Sequence, residues 1–131
     1  MNPAWPQLLN WYAGWGLTLA AFVTGAAFGT RFHRDDFWGG YASFRRRIVR
    51  LGHVALAALG MMNVLFAVAA SAGPRDGPLL RAASICFVVG GVTMPAVCFL
   101  TGWREPLRRL FDLPVAALVI AVIFTIMGGP R

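Results

Sequence analysis

Residues 51–74 read LGHVALAALGMMNVLFAVAASAGP, without a single Asp, Glu, Lys or Arg, and His53 is the one imidazole among them. A helix needs ~20 such residues to cross ~30 Å of hydrocarbon. The apolar residues run continuously rather than alternately, which argues for a helix and against a strand. Lipid offers no water to backbone groups, so a spanning chain must be a helix or a closed barrel. Residues 1–30, 82–103 and 113–130 are equally free of charge. Four spans follow, at about residues 8–30, 49–71, 82–102 and 111–129. Pro114 sits near the start of the last, where its missing N–H costs nothing, and Gly128-Gly129-Pro130 ends it. The expected fold is an all-α, integral membrane four-helix bundle with antiparallel neighbours. Residues 1–131 form one transmembrane domain.

The composition agrees. Hydrophobic residues make up 58% and charged residues 13%, against about 45–50% and about 25% in ordinary soluble domains. All 12 basic residues are arginine, and 5 acids leave a net charge of +7. The arginines are unevenly placed. Arg31, Arg34, Arg45, Arg46, Arg47 and Arg50 fall between spans one and two, and Arg104, Arg108 and Arg109 between spans three and four. The second connection has only Arg75 and Arg81. The excess of arginine puts the first and third connections in the cytoplasm and both termini outside, as in a multi-pass protein of a bacterial-type inner membrane. Trp5, Trp11, Tyr12 and Trp15 then form an interfacial aromatic belt at the outer end of span one. That first segment lacks a basic n-region, so it reads as a span rather than a signal peptide. The short turn-rich link Ser71–Pro78 makes spans two and three antiparallel neighbours. The basic and aromatic residues are accounted for by the bilayer edge, and no nucleic-acid partner is expected.

The first loop has a pattern of its own. Phe37, Tyr41, Phe44 and Ile48 recur at helical spacing, with Asp35 and Asp36 placed to cap the start and Arg45, Arg46, Arg47 and Arg50 near the end. This predicts a short amphipathic cytoplasmic helix before the second span, one that docks on anionic lipid or on another subunit. Gly39-Gly40 interrupts the stripe. Because neighbouring arginines also set the topology, replacing Arg46 alone is expected to matter little.

Close packing is written into span one, where Ala21, Gly25 and Gly29 repeat every four residues as a small-xxx-small face. Gly60 and Asn63 in span two belong to the same kind of helix-packing interface, with Asn63 as interhelical glue. Gly90, Gly91 and Pro95 predict a kink in span three. His53 is the ionisable residue inside a span and the candidate cofactor ligand. Counted from the cytoplasmic ends of spans two and three, His53 and Cys98 lie at one depth, and Met94 shares a helical face with Cys98. Imidazole and soft sulfur would suit copper(I), and a single histidine could hold a haem, a chlorophyll or a quinone headgroup. His33 lies in the charged loop, which argues against a self-contained bis-histidine haem and leaves open a haem shared with a partner chain.

No phosphate loop, zinc-spaced cysteine set or Ser/His/acid arrangement is present, and every acid lies in a loop or, like Asp112, at a span boundary. The leading expectation is a small non-catalytic integral membrane subunit, not an enzyme. It would pack within and stabilise a larger complex of other integral membrane subunits, most plausibly a respiratory or photosynthetic electron-transport complex. The alternatives are a cofactor-binding membrane protein with His53 as ligand and an oligomeric transporter or channel.

Overall fold

A computed structural model of the chain describes residues 5–72 and 77–128. Four long helices run up and down: α1 (Trp5–Phe32), α2 (Phe44–Ser71), α3 (Pro78–Trp103) and α4 (Asp112–Met127). With its 3-10 lead-in from Glu105, the fourth joins the others in being long and apolar enough to cross a membrane. The first three helices bracket the spans read from the sequence and overrun them at their N-terminal ends, and α4 covers most of the fourth. The calls on Gly73–Asp76 of the second link and on Gly129 and Pro130 lie outside the described residues.

The helix ends follow from local chemistry. The Ser43 hydroxyl accepts the Arg46 N–H at 3.2 Å and caps α2. Pro78 opens α3 at the first helical position, where no N–H is needed. Arg104 is extended, with φ −138° and ψ 103°, and there α3 stops. Pro95 lies inside α3, which runs through it without ending.

The loop between α1 and α2 departs from expectation. The amphipathic helix shrinks to a single 3-10 turn at Phe37–Gly39, after which the chain unwinds and restarts as α2 at Phe44. Trp38, Gly39 and Gly40 adopt φ of 54°, 81° and 87°, in the left-handed region that glycine tolerates and a continuous right-handed helix cannot contain. Asp36 stands at the N-cap position of the turn without a side-chain capping bond, so the predicted aspartate cap is replaced by the Ser43 cap of α2.

The four helices are not equivalent. α1, α2 and α3 pack on one another as a three-helix core, while α4 packs principally on α3. One apolar cluster, Leu17, Ala21 and Leu56, joins α1 to α2, with Phe99 of α3 packed against it. A second, built from Phe66, Ala70, Leu80, Ala83 and Phe87, takes in Ala121 of α4. The outward faces are apolar, with Phe22 73% and Ile126 74% exposed. Such a surface is suited to hydrocarbon rather than water.

Three fully buried polar side chains, one from each core helix, meet inside this apolar surround. The Asn10 amide donates to Asn63 Oδ1 at 2.7 Å, and the Ser84 hydroxyl donates to Asn10 Oδ1. Asn63 Nδ2 donates in turn to the Leu59 carbonyl at 2.8 Å and the Phe87 carbonyl at 3.3 Å. Thr18, Thr24, Ser71, Thr93 and Thr125 each return a hydroxyl proton to the carbonyl one turn back. These polar groups are thus satisfied within the chain, as a medium without water requires, whereas the buried Thr101 Oγ1 of α3 has no partner among the described residues.

Candidate functional site at the arginine-rich end

The seam between α1 and α2 is built from absent side chains. A Cβ on Gly14 would lie 2.7 Å from the Gly60 carbonyl oxygen, and one on Gly60 would lie 2.9 Å from the Gly14 carbonyl oxygen. The two backbones are therefore nearly in contact. Along α1 the face runs Gly14, Thr18, Ala21, Gly25, at spacings of four, three and four. Gly29 leaves it, because a Cβ there would meet nothing within 4 Å. Ala21, Gly25, Gly60 and Asn63 thus lie at internal helix contacts, and Gly29 opens on the exterior.

His53 closes this seam toward the arginine-rich end. Its ring lies over Gly25, where a Cβ would come 2.9 Å from Cε1 and 3.4 Å from Nε2. Nδ1 is 3.1 Å from the Thr24 hydroxyl, which itself donates to the Ala20 carbonyl at 2.7 Å. The imidazole occupies the space a Gly25 side chain would fill, so a larger residue there would have to displace the ring.

Cys98 points elsewhere. It is fully buried, and a Cβ on Gly52 would meet its Cβ at 2.9 Å. Gly52 and His53 are consecutive on α2, and successive helical residues are turned about 100° apart. One accordingly faces α3 and the other α1. Met94 is half-buried on α3. Equal depth along the bundle does not bring His53 and the two sulfurs into one cluster, because depth carries no information about rotation around the helix axis. Among the described residues no three His, Cys, Asp or Glu side chains group to hold a metal ion. His33 is exposed in the loop, away from the spans.

The arginines of the first turn of α2 divide their work between neighbouring helices. Arg46 is 3% exposed and donates through its guanidinium to the carbonyls of Phe32 and Arg34, at and just beyond the end of α1. Its Cζ lies 4.8 Å from the Phe32 ring centroid. Arg45 Nε donates to the Gly102 carbonyl at 2.7 Å, in the last turn of α3. Two adjacent cations thereby cover the negative, donor-less ends of the two flanking helices. Arg50 stacks on Tyr41 at 4.4 Å. Arg46 is consequently a packing residue as well as a topology signal, which corrects the expectation that it is dispensable.

The remaining loop residues assemble around these cations. Phe37 stacks on Trp38 with centroids 4.7 Å apart, and Arg45 lies 5.3 Å over the Trp38 ring. Phe28, Trp38, Arg45, Val49, Phe99 and Trp103 line a cavity of about 230 Å³ between the core helices. Phe44 and Tyr41 are exposed and Ile48 half-buried, so the predicted docking stripe is split, part folded inward and part outward. Arg47 is exposed, as are Arg31, Arg34, Arg104, Arg108 and Arg109, which surround this end of the molecule.

Asn10, Ser84 and Gly14 were not singled out from the sequence. A signal existed: Asn10, Gly14, Leu17 and Ala21 share one helical stripe, and an amide in an otherwise apolar span needs a partner in another span. Comparison with family models, with curated proteins and with solved structures finds no match to this chain.

Proposed function

We propose that this chain is a small, non-catalytic subunit that packs within and stabilises a larger complex of integral membrane proteins, with a respiratory or photosynthetic electron-transport complex as the class. The observation that carries this reading is the position of α4. It packs principally on α3 and offers Val115, Val119, Val122, Ile123 and Ile126 to the outside, instead of closing a bundle around a centre of its own. The polar groups inside the core helices support it, since they are occupied in joining those helices to one another. In this reading the helices form a rigid wedge, and the face of α4 is continued by neighbouring subunits and lipid. Extraction of the native membrane in mild detergent, followed by native electrophoresis, is expected to leave the chain in a particle with other membrane proteins. A monodisperse single-chain particle overturns the proposal.

The same reading sets the arginine-rich end in the cytoplasm of a bacterial-type inner membrane, with both termini outside. There Arg47, Arg108 and Arg109, which are exposed, face anionic lipid headgroups, whereas Arg45 and Arg46 are held by helix ends. An impermeant thiol reagent should label Asn2→Cys in intact cells, and labelling only after lysis reverses the orientation.

A further inference from the structure

We infer that the cavity at the arginine-rich end seats one anionic phospholipid, its phosphate on the free edge of the Arg45 guanidinium and one acyl chain against the Phe28 and Phe99 rings. This goes beyond the subunit reading, for it needs no partner protein and only that the helices stand in a bilayer.

Size and position come first. The cavity holds about 230 Å³, below the ~300–1,000 Å³ of sites for drug-sized ligands, so it admits a single chain or ring. Trp103 lines it and is 79% exposed, so it opens to the outside. The 28 residues of α2 cover about 42 Å at ~1.5 Å per residue, which leaves about 6 Å beyond each side of ~30 Å of hydrocarbon. Arg45, the second residue of α2, therefore lies in the headgroup layer, and Val49, one turn on, at the edge of the hydrocarbon. The same count from the end of α3 puts Phe99 level with Val49. A cation above and apolar walls below match an amphiphile standing in the leaflet, head outward and chain inward.

Charge selects the head. Arg45 spends Nε on the Gly102 carbonyl at 2.7 Å and one face of its guanidinium on the Trp38 ring at 5.3 Å. These contacts fix its plane and leave both Nη groups without an acceptor among the described residues. No acid among them lines the cavity or pairs with Arg45, and the loop's Asp36 pairs with Arg34 instead. A permanent cation with an open edge and no counter-ion is matched by phosphate oxygens, which a guanidinium binds as a fork. A neutral headgroup would leave that charge unanswered.

The backbone is bent to build the wall behind Arg45. Trp38 holds φ 54°, a left-handed conformation that bulky residues avoid and that gathers at ligand clamps. The Ser43 hydroxyl donates to its carbonyl at 2.8 Å and keeps it there. The indole so placed stands 5.9 Å from the Phe28 ring, and Phe28 6.1 Å from Phe99, as one continuous apolar wall.

The test is native mass spectrometry of the purified full-length chain in detergent, incubated with equal amounts of phosphatidylglycerol and phosphatidylcholine. The expected result is one phosphatidylglycerol retained per chain, preferred about tenfold, the worth of a hydrogen bond to a charged group. Arg45→Gln should erase the preference and Arg47→Gln, which removes the same charge from an exposed site, should keep it. Trp103→Ala separates binding from folding: the ring is exposed, so the thermal midpoint should hold while retention falls several-fold. Excess glycerol 3-phosphate, a head without a chain, should displace nothing. Equal retention of the two lipids by the parent overturns the proposal, as does a preference that survives Arg45→Gln. So do a preference lost equally in Arg47→Gln, undiminished retention in Trp103→Ala, and displacement by glycerol 3-phosphate.

Discussion

Arg46 and Arg47 are neighbours of identical chemistry with different surroundings. One is sealed between Phe32 and the end of α1, and the other stands in solvent. Removing a buried charged donor strands the carbonyls it served, a loss of about 2 kcal/mol. Arg46→Ala is therefore expected to lower the thermal midpoint in detergent clearly, and Arg47→Ala to leave it unchanged. Arg46→Lys should recover only part of the loss, because an ammonium cannot reproduce a planar fork reaching two carbonyls. Equal midpoints for Arg46→Ala and Arg47→Ala would show that the buried contacts contribute nothing. At this scale the sequence discloses residue types and not their partners. His53 stood out because any imidazole in a span does, yet Thr24 and Gly25 became visible only once α1 was rotated against α2.

Among the helices, the fit of α1 against α2 rests on Gly14 and Gly60, where backbone faces backbone. Gly16 lies two residues on, with nothing within 4 Å of the space a side chain would fill. Gly14→Ala is expected to force the helices apart at a cost of about 1–3 kcal/mol. Gly16→Ala should be neutral or stabilising by up to about 1 kcal/mol, the difference in helix propensity. Denaturant titration in detergent compares the two, and a Gly14→Ala protein as stable as its parent removes the close contact from the account. The spans were legible because one missing property, charge, dominates the energetics of a chain in lipid. The loop was not, since Phe37, Tyr41, Phe44 and Ile48 have helical spacing and only the left-handed backbone at Trp38–Gly40 breaks it. The small-residue stripe was legible in part: Ala21 and Gly25 lie in the seam, but the face continues back to Gly14 rather than on to Gly29.

The whole molecule is a three-helix core with a fourth helix hinged on one side. Gly90 makes this attachment possible, for a Cβ there would lie 2.5 Å from Leu118 Cγ. Gly90→Leu is expected to lift α4 from α3 while leaving the asparagine–serine contacts of the core in place. Ala121, fully buried in the parent, reports the change: in a variant lacking Cys86, an Ala121→Cys thiol should turn from inert to reactive with a lipid-soluble maleimide. Persistent protection would mean that α4 is held by more than its contact with α3. The union of Asn10, Asn63 and Ser84 has a consequence for how the protein is made. A nascent chain with two helices inserted holds an amide pair whose remaining hydrogen-bonding capacity finds no match in oil. Only the arrival of Ser84 and the Phe87 carbonyl completes the set. A chain that stops short of its third helix is therefore expected to turn over faster than the full-length one, as a pulse-chase comparison would show.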